Sequence, residues 1–169
     1  MTDKTEKETS FLELVDHYKE VVAKVCYMYA GPQAGFDDLY QEVLINIWQG
    51  MDSFRGDSKI STWIYRTAIN TCITWHRRTA RHSRCSTSLE DLVAEPADTS
   101  DDTRTYLEEY RELHRLISRL GPLDKALITL WLEEKPYDEI AQITGISQGN
   151  VAVRIHRIKD KLSRMASLQ

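Results

Sequence analysis

One segment near the C-terminal end, PYDEIAQITGISQGNVAVRIHRIKDKL, leaves this chain little freedom locally. It reads as two helices joined by a tight turn. Pro136 is suited to a first helical turn, where the amide it lacks would be unpaired anyway. Ile140, Ala141 and Ile143 give the first helix its apolar side. Thr144-Gly145-Ile146 forms the turn, and Gly145 can adopt the positive φ that the bend demands. Ser147 is a natural N-cap for the second helix. Val151, Ile155, Ile158 and Leu162 follow at steps of four, three and four, which is one buried stripe. Gln148, Asn150, Arg154, His156, Arg157, Lys159, Lys161 and Arg164 lie outside it. A short polar first turn and a basic flank suit a helix that lies in the major groove of DNA.

A chain of 169 residues allows one large domain or two small ones. Seven glycines and four prolines permit long helices. No apolar run approaches the roughly 20 residues of a membrane span, and the polar start MTDKTEKETS does not read as a signal peptide. Cys26, Cys72 and Cys85 are an odd set, expected as free thiols in a reducing cytoplasm.

The net charge of −4 argues against a nucleic-acid partner until its distribution is considered. From Val25 to Phe54 there is no Lys or Arg. From Arg55 to Arg84 seven cations face one anion, and from Cys85 to Glu112 nine anions face two cations. From Ser147 to Arg164 five cations oppose Asp160 alone. Two basic blocks separated by an acidic one predict two contacts with a polyanion and a tether that shares neither. The acidic tract, CSTSLEDLVAEPADTSDDTRT, has too few apolar side chains to bury and is expected to be a flexible linker.

The N-terminal part reads as a helical bundle. Ser10 and Glu13 form a capping-box pattern ahead of a stripe of Phe11, Leu14, Val15, Tyr18, Val22, Val25 and Tyr29. A second helix is expected from about Asp37 to Met51, apolar at Leu39, Tyr40, Val43, Leu44, Ile47 and Trp48. Its remaining strip, Asp38, Gln41, Glu42, Ile45 and Gln49, suits a protein partner better than DNA. After the loop SFRGDSKIS a third helix is expected from about Thr62. There Arg66, Asn70, Thr74, Arg77 and Arg81 make one polar, basic line, with Tyr65, Trp75 and His76 beside it. Cations with aromatic rings answer the phosphates and unstacked bases of a melted strand.

DDLYQEVLINIW, then FRGDSKISTWIYRTAINTCITWHRR, then YDEIAQITGISQGNVAVRIHRIKDKL resemble, in order and spacing, the extracytoplasmic-function (ECF) sigma factors of bacteria. The resemblance implies an all-α fold of two small helical domains, a sigma-two-like bundle and a sigma-four-like helix-turn-helix domain, joined by the acidic linker. The boundaries are placed at 1–84, 85–108 and 109–169. It implies a transcription initiation factor that binds core RNA polymerase and recognises the minus-ten and minus-thirty-five promoter elements. Asp38, Gln41, Glu42, Ile45 and Trp48 match positions that bind the clamp helices of the largest polymerase subunit. Phe54, Arg55, Gly56, Asp57, Ser58 and Lys59 match the loop that captures a flipped minus-ten base. Arg66, Asn70 and Arg77 match helix positions that hold the same strand or the duplex just upstream. Gln148, Asn150, Val153, Arg154, His156 and Arg157 fall where the minus-thirty-five element is met. The implied partners are the polymerase core, promoter DNA and, as a candidate, an anti-sigma factor. No cofactor and no metal are implied, and the place of action is the cytoplasm.

The chain departs from the family pattern at Ala152 and Val153, where a basic and a small hydroxyl residue are common. Direct hydrogen bonding in the groove is thinner as a result, and Val153 could instead meet a thymine methyl. Three rival readings are weaker. A DNA-binding regulator independent of polymerase leaves the FRGDSK loop and the acidic helix unexplained. A metal site at Cys72, His76, His82 and Cys85 competes with the place of Cys72 in the core stripe. An enzyme has no support from any nucleophile–base pairing or phosphate loop.

Overall fold

The computed structural model describes residues 2–31, 35–82 and 111–167. The acidic linker placed at 85–108, with Cys85, lies outside the described residues. Helices α1 (Thr2–Tyr29), α2 (Phe36–Gly50) and α3 (Ile60–His82) form one bundle, with a 3-10 turn at Met51–Ser53 after α2. A second group consists of α4, described over 111–118, α5 (Pro122–Leu132), α6 (Tyr137–Thr144) and α7 (Gln148–Ser167).

Helix α1 starts well before the capping box expected at Ser10, which lies in the helix interior. The extra turns are held by tertiary contacts. Lys7 pairs with Asp52 at 2.5 Å and sits 4.5 Å from the centroid of the Trp48 ring. Phe11 meets the same indole edge-on at 5.2 Å. These contacts anchor α1 to the far end of α2, so the polar N-terminal residues continue the helix.

The bundle core is built from the expected apolar stripes. Val22, Val25 and Cys26 of α1 meet Leu39, Val43 and Ile47 of α2 and Ile64, Ala68, Ile69 and Cys72 of α3. Full burial of one such aliphatic side chain contributes about 1.5–3 kcal/mol. Cys72 lies beside Cys26, and both thiols are free and buried. The hydrogen bond that the Cys72 thiol donates to Cys26, together with burial, keeps Cys72 protonated, above the ordinary thiol range.

In the second group Pro136 stands just ahead of α6 as its N-cap rather than inside its first turn. Gly145 takes φ 76° and ψ 17°, the left-handed conformation expected of the turn. The Asn150 amide donates to the Ser147 hydroxyl at 3.3 Å, so Ser147 caps α7. Val151, Ile155 and Ile158 are buried against α5 and α6, with Leu162 partly buried below them.

The two groups pack against each other, with α3 in contact with α5 and α6. The Tyr29 hydroxyl donates to the Pro122 carbonyl at 2.6 Å. Lys125, buried in the apolar helix PLDKALITLWL, has its ammonium 5.8 Å from the centroid of the Tyr29 ring. Burial pushes the pKa of Lys125 down.

Two consequences follow for stability. Truncating Ile155, which is fully buried, to Ala should cost about 2–5 kcal/mol in urea denaturation; a loss of less than half a kcal/mol would mean that α7 is not seated as described. His76 is held below the ordinary imidazole range, first by burial and then by the charge of Lys125. The unfolded chain therefore binds a proton more readily than the folded one below about pH 6.5. His76 costs no stability above that pH and lowers it as the pH falls further. Denaturation midpoints should decline on acidification from pH 7 to 5, and His76→Gln should flatten that decline.

Candidate protein and nucleic-acid interfaces

Helix α2 turns its two faces apart because only one is needed for the core. Leu39, Val43 and Ile47 are buried. Asp38, Gln41 and Gln49 are exposed, Ile45 is 49% exposed, and Glu42 lies half-buried between them. Asp37 and Asp38 occupy the first turn, where the helix dipole favours negative charge. Trp48 sits apart from the other four predicted residues in its surroundings: its ring is partly buried between Phe11 and Lys7. Phe36 and Tyr40, stacked at 5.6 Å, add an aromatic pair on this helix that the acidic pattern did not single out.

The loop between α2 and α3 is anchored at both ends. The Phe54 amide donates to the Met51 carbonyl at 3.2 Å, and the Trp63 amide to the Lys59 carbonyl at 3.1 Å. The Phe54 ring lies 5.4 Å from that of Trp63 and is half-buried. Between these anchors Arg55, Gly56, Asp57 and Lys59 are exposed, and Ser58 is half-buried. Gly56 has φ 76°, a conformation that side chains rarely adopt, so the bend itself requires glycine.

On α3 the expected polar line forms: Arg66, Asn70, Thr74 and Arg77 are all exposed. The side chain of Arg81 lies outside the described residues. The aromatic neighbours behave differently from the sequence expectation. Tyr65 is buried at 5% exposure, and Trp75 and His76 are half-buried, so none offers a flat open face. The Tyr65 hydroxyl donates to the Glu133 carboxylate, and Lys135 approaches its ring at 5.1 Å. Burial and the adjoining carboxylate push the pKa of the Tyr65 phenol up beyond its usual range. Arg66 donates through Nε, at 3.1 Å, and through Nη2 to the carbonyl of Gln142 at the end of α6.

Along α7 the predicted residues divide. Gln148, Asn150, His156 and Arg157 are exposed, and Val153 is 50% exposed. His156 has Asp160 one turn on at 3.6 Å. Arg154 is partly buried and binds Asp124 of α5 through Nε at 3.2 Å and Nη2 at 2.7 Å. Its guanidinium is therefore tied to the scaffold, whereas Arg157 is exposed. Asp124, Glu133 and Lys125 were missed in the sequence because their partners lie far along the chain. The one local signal was Lys125, a lone cation in an otherwise apolar helix.

Comparison with known proteins agrees with this geometry. Sigma-70 region 2 matches residues 14–82, and Sigma-70, region 4 matches residues 110–162. The ECF RNA polymerase sigma-E factor of Escherichia coli K12 is 30% identical over 92% of this chain and 85% of its own length. The ECF RNA polymerase sigma factor SigW of Bacillus subtilis is 28% identical over 93% and 89%. Among solved structures, the sigma factor RpoE in complex with the anti-sigma factor NepR from Bartonella quintana superposes with a TM-score of 0.72 at 18% identity, covering 95% of this chain and 98% of that one. CnrH in complex with the cytosolic domain of CnrY gives 0.66 at 19% identity, over 96% and 90%. At such identities these two structures establish the fold alone. No helix among the described residues is long and apolar enough to cross a membrane. With both regions matched in the family's order and relatives aligned over most of their length, the chain belongs to the ECF sigma factors, the transcription initiation factors that direct RNA polymerase to promoters without catalysing a reaction themselves.

Proposed function

We propose that the surfaces described above divide the work of initiation as follows. The exposed strip of α2, Asp38, Gln41, Glu42 and Ile45, with Trp48 at its end, binds the clamp helices of the largest polymerase subunit. A partner rich in cations explains why no Lys or Arg occurs between Val25 and Phe54. Arg55, Gly56, Asp57, Ser58 and Lys59, over the support of Phe54, cradle a base flipped from the minus-ten element. Arg66, Asn70 and Arg77 hold the phosphates beside it. Capture of that base offsets the few kcal/mol lost in unstacking it.

On α7, Gln148, Asn150, Val153, His156 and Arg157 face the minus-thirty-five duplex. Arg154, engaged by Asp124, sets the angle of the helix, and its contact with DNA is secondary. The acidic tract occupies the polymerase cleft, where its charge resembles that of nucleic acid. Residues 1–84 and 109–169 are the two working domains, and the protein acts in the cytoplasm. An anti-sigma factor is a candidate regulator, since both structural neighbours above were solved with a protein of that kind or with a second protein's cytosolic domain. The observation that carries this reading is the separation of an exposed acidic strip on α2 from exposed cations on α3 and α7.

Reconstitution with core polymerase tests it. Changing Asp38 and Glu42 together to Lys should abolish core binding and transcription in parallel; retained binding would remove α2 from the interface. Arg157→Ala should weaken binding to a promoter duplex by about 1–3 kcal/mol and relax base preference at one position of the upstream element. Arg154→Ala should leave that preference intact. In a double-mutant cycle for folding, Arg154 and Asp124 should couple by about 0.2–1 kcal/mol, as expected of a partly exposed ion pair.

A further inference from the structure

Among the residues of α7 assigned to duplex DNA, Val153 alone is apolar. Neither packing nor helix formation accounts for it. Its side chain is 50% exposed, and it lies outside the core that Val151, Ile155 and Ile158 join, with Leu162 packed against them. A β-branched residue also favours a helix less than alanine does. A single exposed valine is ordinary on a protein surface, so its position has to decide. At about 100° per residue, Val153 falls almost opposite the centre of the buried stripe. Asn150 and Arg157 flank it on one side and His156 on the other, and all three are exposed. Val153 is therefore the middle of the outward face of α7.

Gly149 stands one turn before Val153 on the same face and is exposed. Its φ is not positive, and a Cβ added there would meet no atom within 4 Å. The protein's own backbone and packing thus make no demand for glycine, although glycine weakens a helix relative to alanine. Bare backbone at this point leaves room for a second molecule to come close to Val153.

The polar groups nearby narrow what that molecule presents. Ala152 carries no hydrogen-bonding group, and the Arg154 guanidinium is spent on Asp124. In the major groove the one apolar group on a base edge is the 5-methyl of thymine. A cytosine lacks that methyl. A purine turns its N7 acceptor toward the groove, and Val153 would cover it without donating a hydrogen bond.

We propose that Val153, beside the bare backbone of Gly149, is a specificity-determining residue that receives the 5-methyl group of one thymine in the minus-thirty-five element. The inference rests on the assignment of α7 to that duplex.

The test uses the full-length chain bound to core polymerase, and a promoter located from the RNA starts that this holoenzyme makes. Each thymine of the upstream element, on either strand, is replaced in turn by uracil, which lacks only the 5-methyl group. Competition binding should show one uracil that weakens the wild-type complex about four-fold, the worth of one buried methyl group. Val153→Ala should weaken binding to the parent duplex by a similar factor and should be indifferent to that same uracil. Val153→Ile, which keeps a branched apolar side chain, should retain the discrimination. Val153→Ser replaces Val153→Ala if circular dichroism shows that variant unfolded. The methyl contact is overturned if no uracil weakens the wild-type complex, or if the sensitive uracil weakens Val153→Ala as much as the wild type. Scrambling the whole upstream element separates the two levels of the argument. Unchanged wild-type binding to the scrambled duplex removes α7 from that element, and the role of Val153 with it. Weakened binding to the scrambled duplex with no response to any uracil removes the role of Val153 alone.

Discussion

Helices α2 and α7 each have one apolar stripe, and the burial of that stripe decides which residues remain outside. On α7 the seating of Val151, Ile155 and Ile158 against α5 and α6 leaves Asn150, Val153, His156 and Arg157 at the surface. On α2 the burial of Leu39, Val43 and Ile47 pushes Asp38, Gln41 and Ile45 outward. The proposed binding surfaces are thus the complement of the core, and a change that rotated either helix would disturb both.

Electrostatics then distinguishes the proposed surfaces by the sign of their charge. The first bundle carries an acidic strip on α2 and a basic line on α3, on helices that pack directly together. Opposite charges on neighbouring helices would lose value if they paired with each other. Among the described residues no ion pair joins Asp38 or Glu42 to Arg66 or Arg77. Instead the ion pairs lie elsewhere, at Lys7–Asp52 and Arg154–Asp124, where they fix the ends of helices. Pairs of that kind add little stability when exposed, but they set geometry.

Much of the fold was legible locally. The turn at Gly145, the cap at Ser147 and the stripe on α7 depend on residues within a few positions of one another. So do the line from Arg66 to Arg77 and the acidic strip on α2. What misled the reading was equally local. Ser10 has the sequence of a helix start, yet Lys7 and Phe11 find partners in Asp52 and Trp48 that continue the helix past it. Tyr65 and His76 look like open aromatic platforms beside a basic line, yet they are covered by residues from the far half of the chain.

The sequence by itself determined that the chain is helical, that it divides at an acidic tract, and that it carries two basic surfaces and one acidic one. Those features follow from side-chain periodicity and from charge placement over short spans. Only the tertiary structure decided that Arg154 is tied to Asp124, that Glu133 joins Tyr65 and Lys24, and that Gln142 occupies Arg66. These partners lie tens of residues apart. Their meeting depends on how whole helices pack, a property that no local pattern encodes.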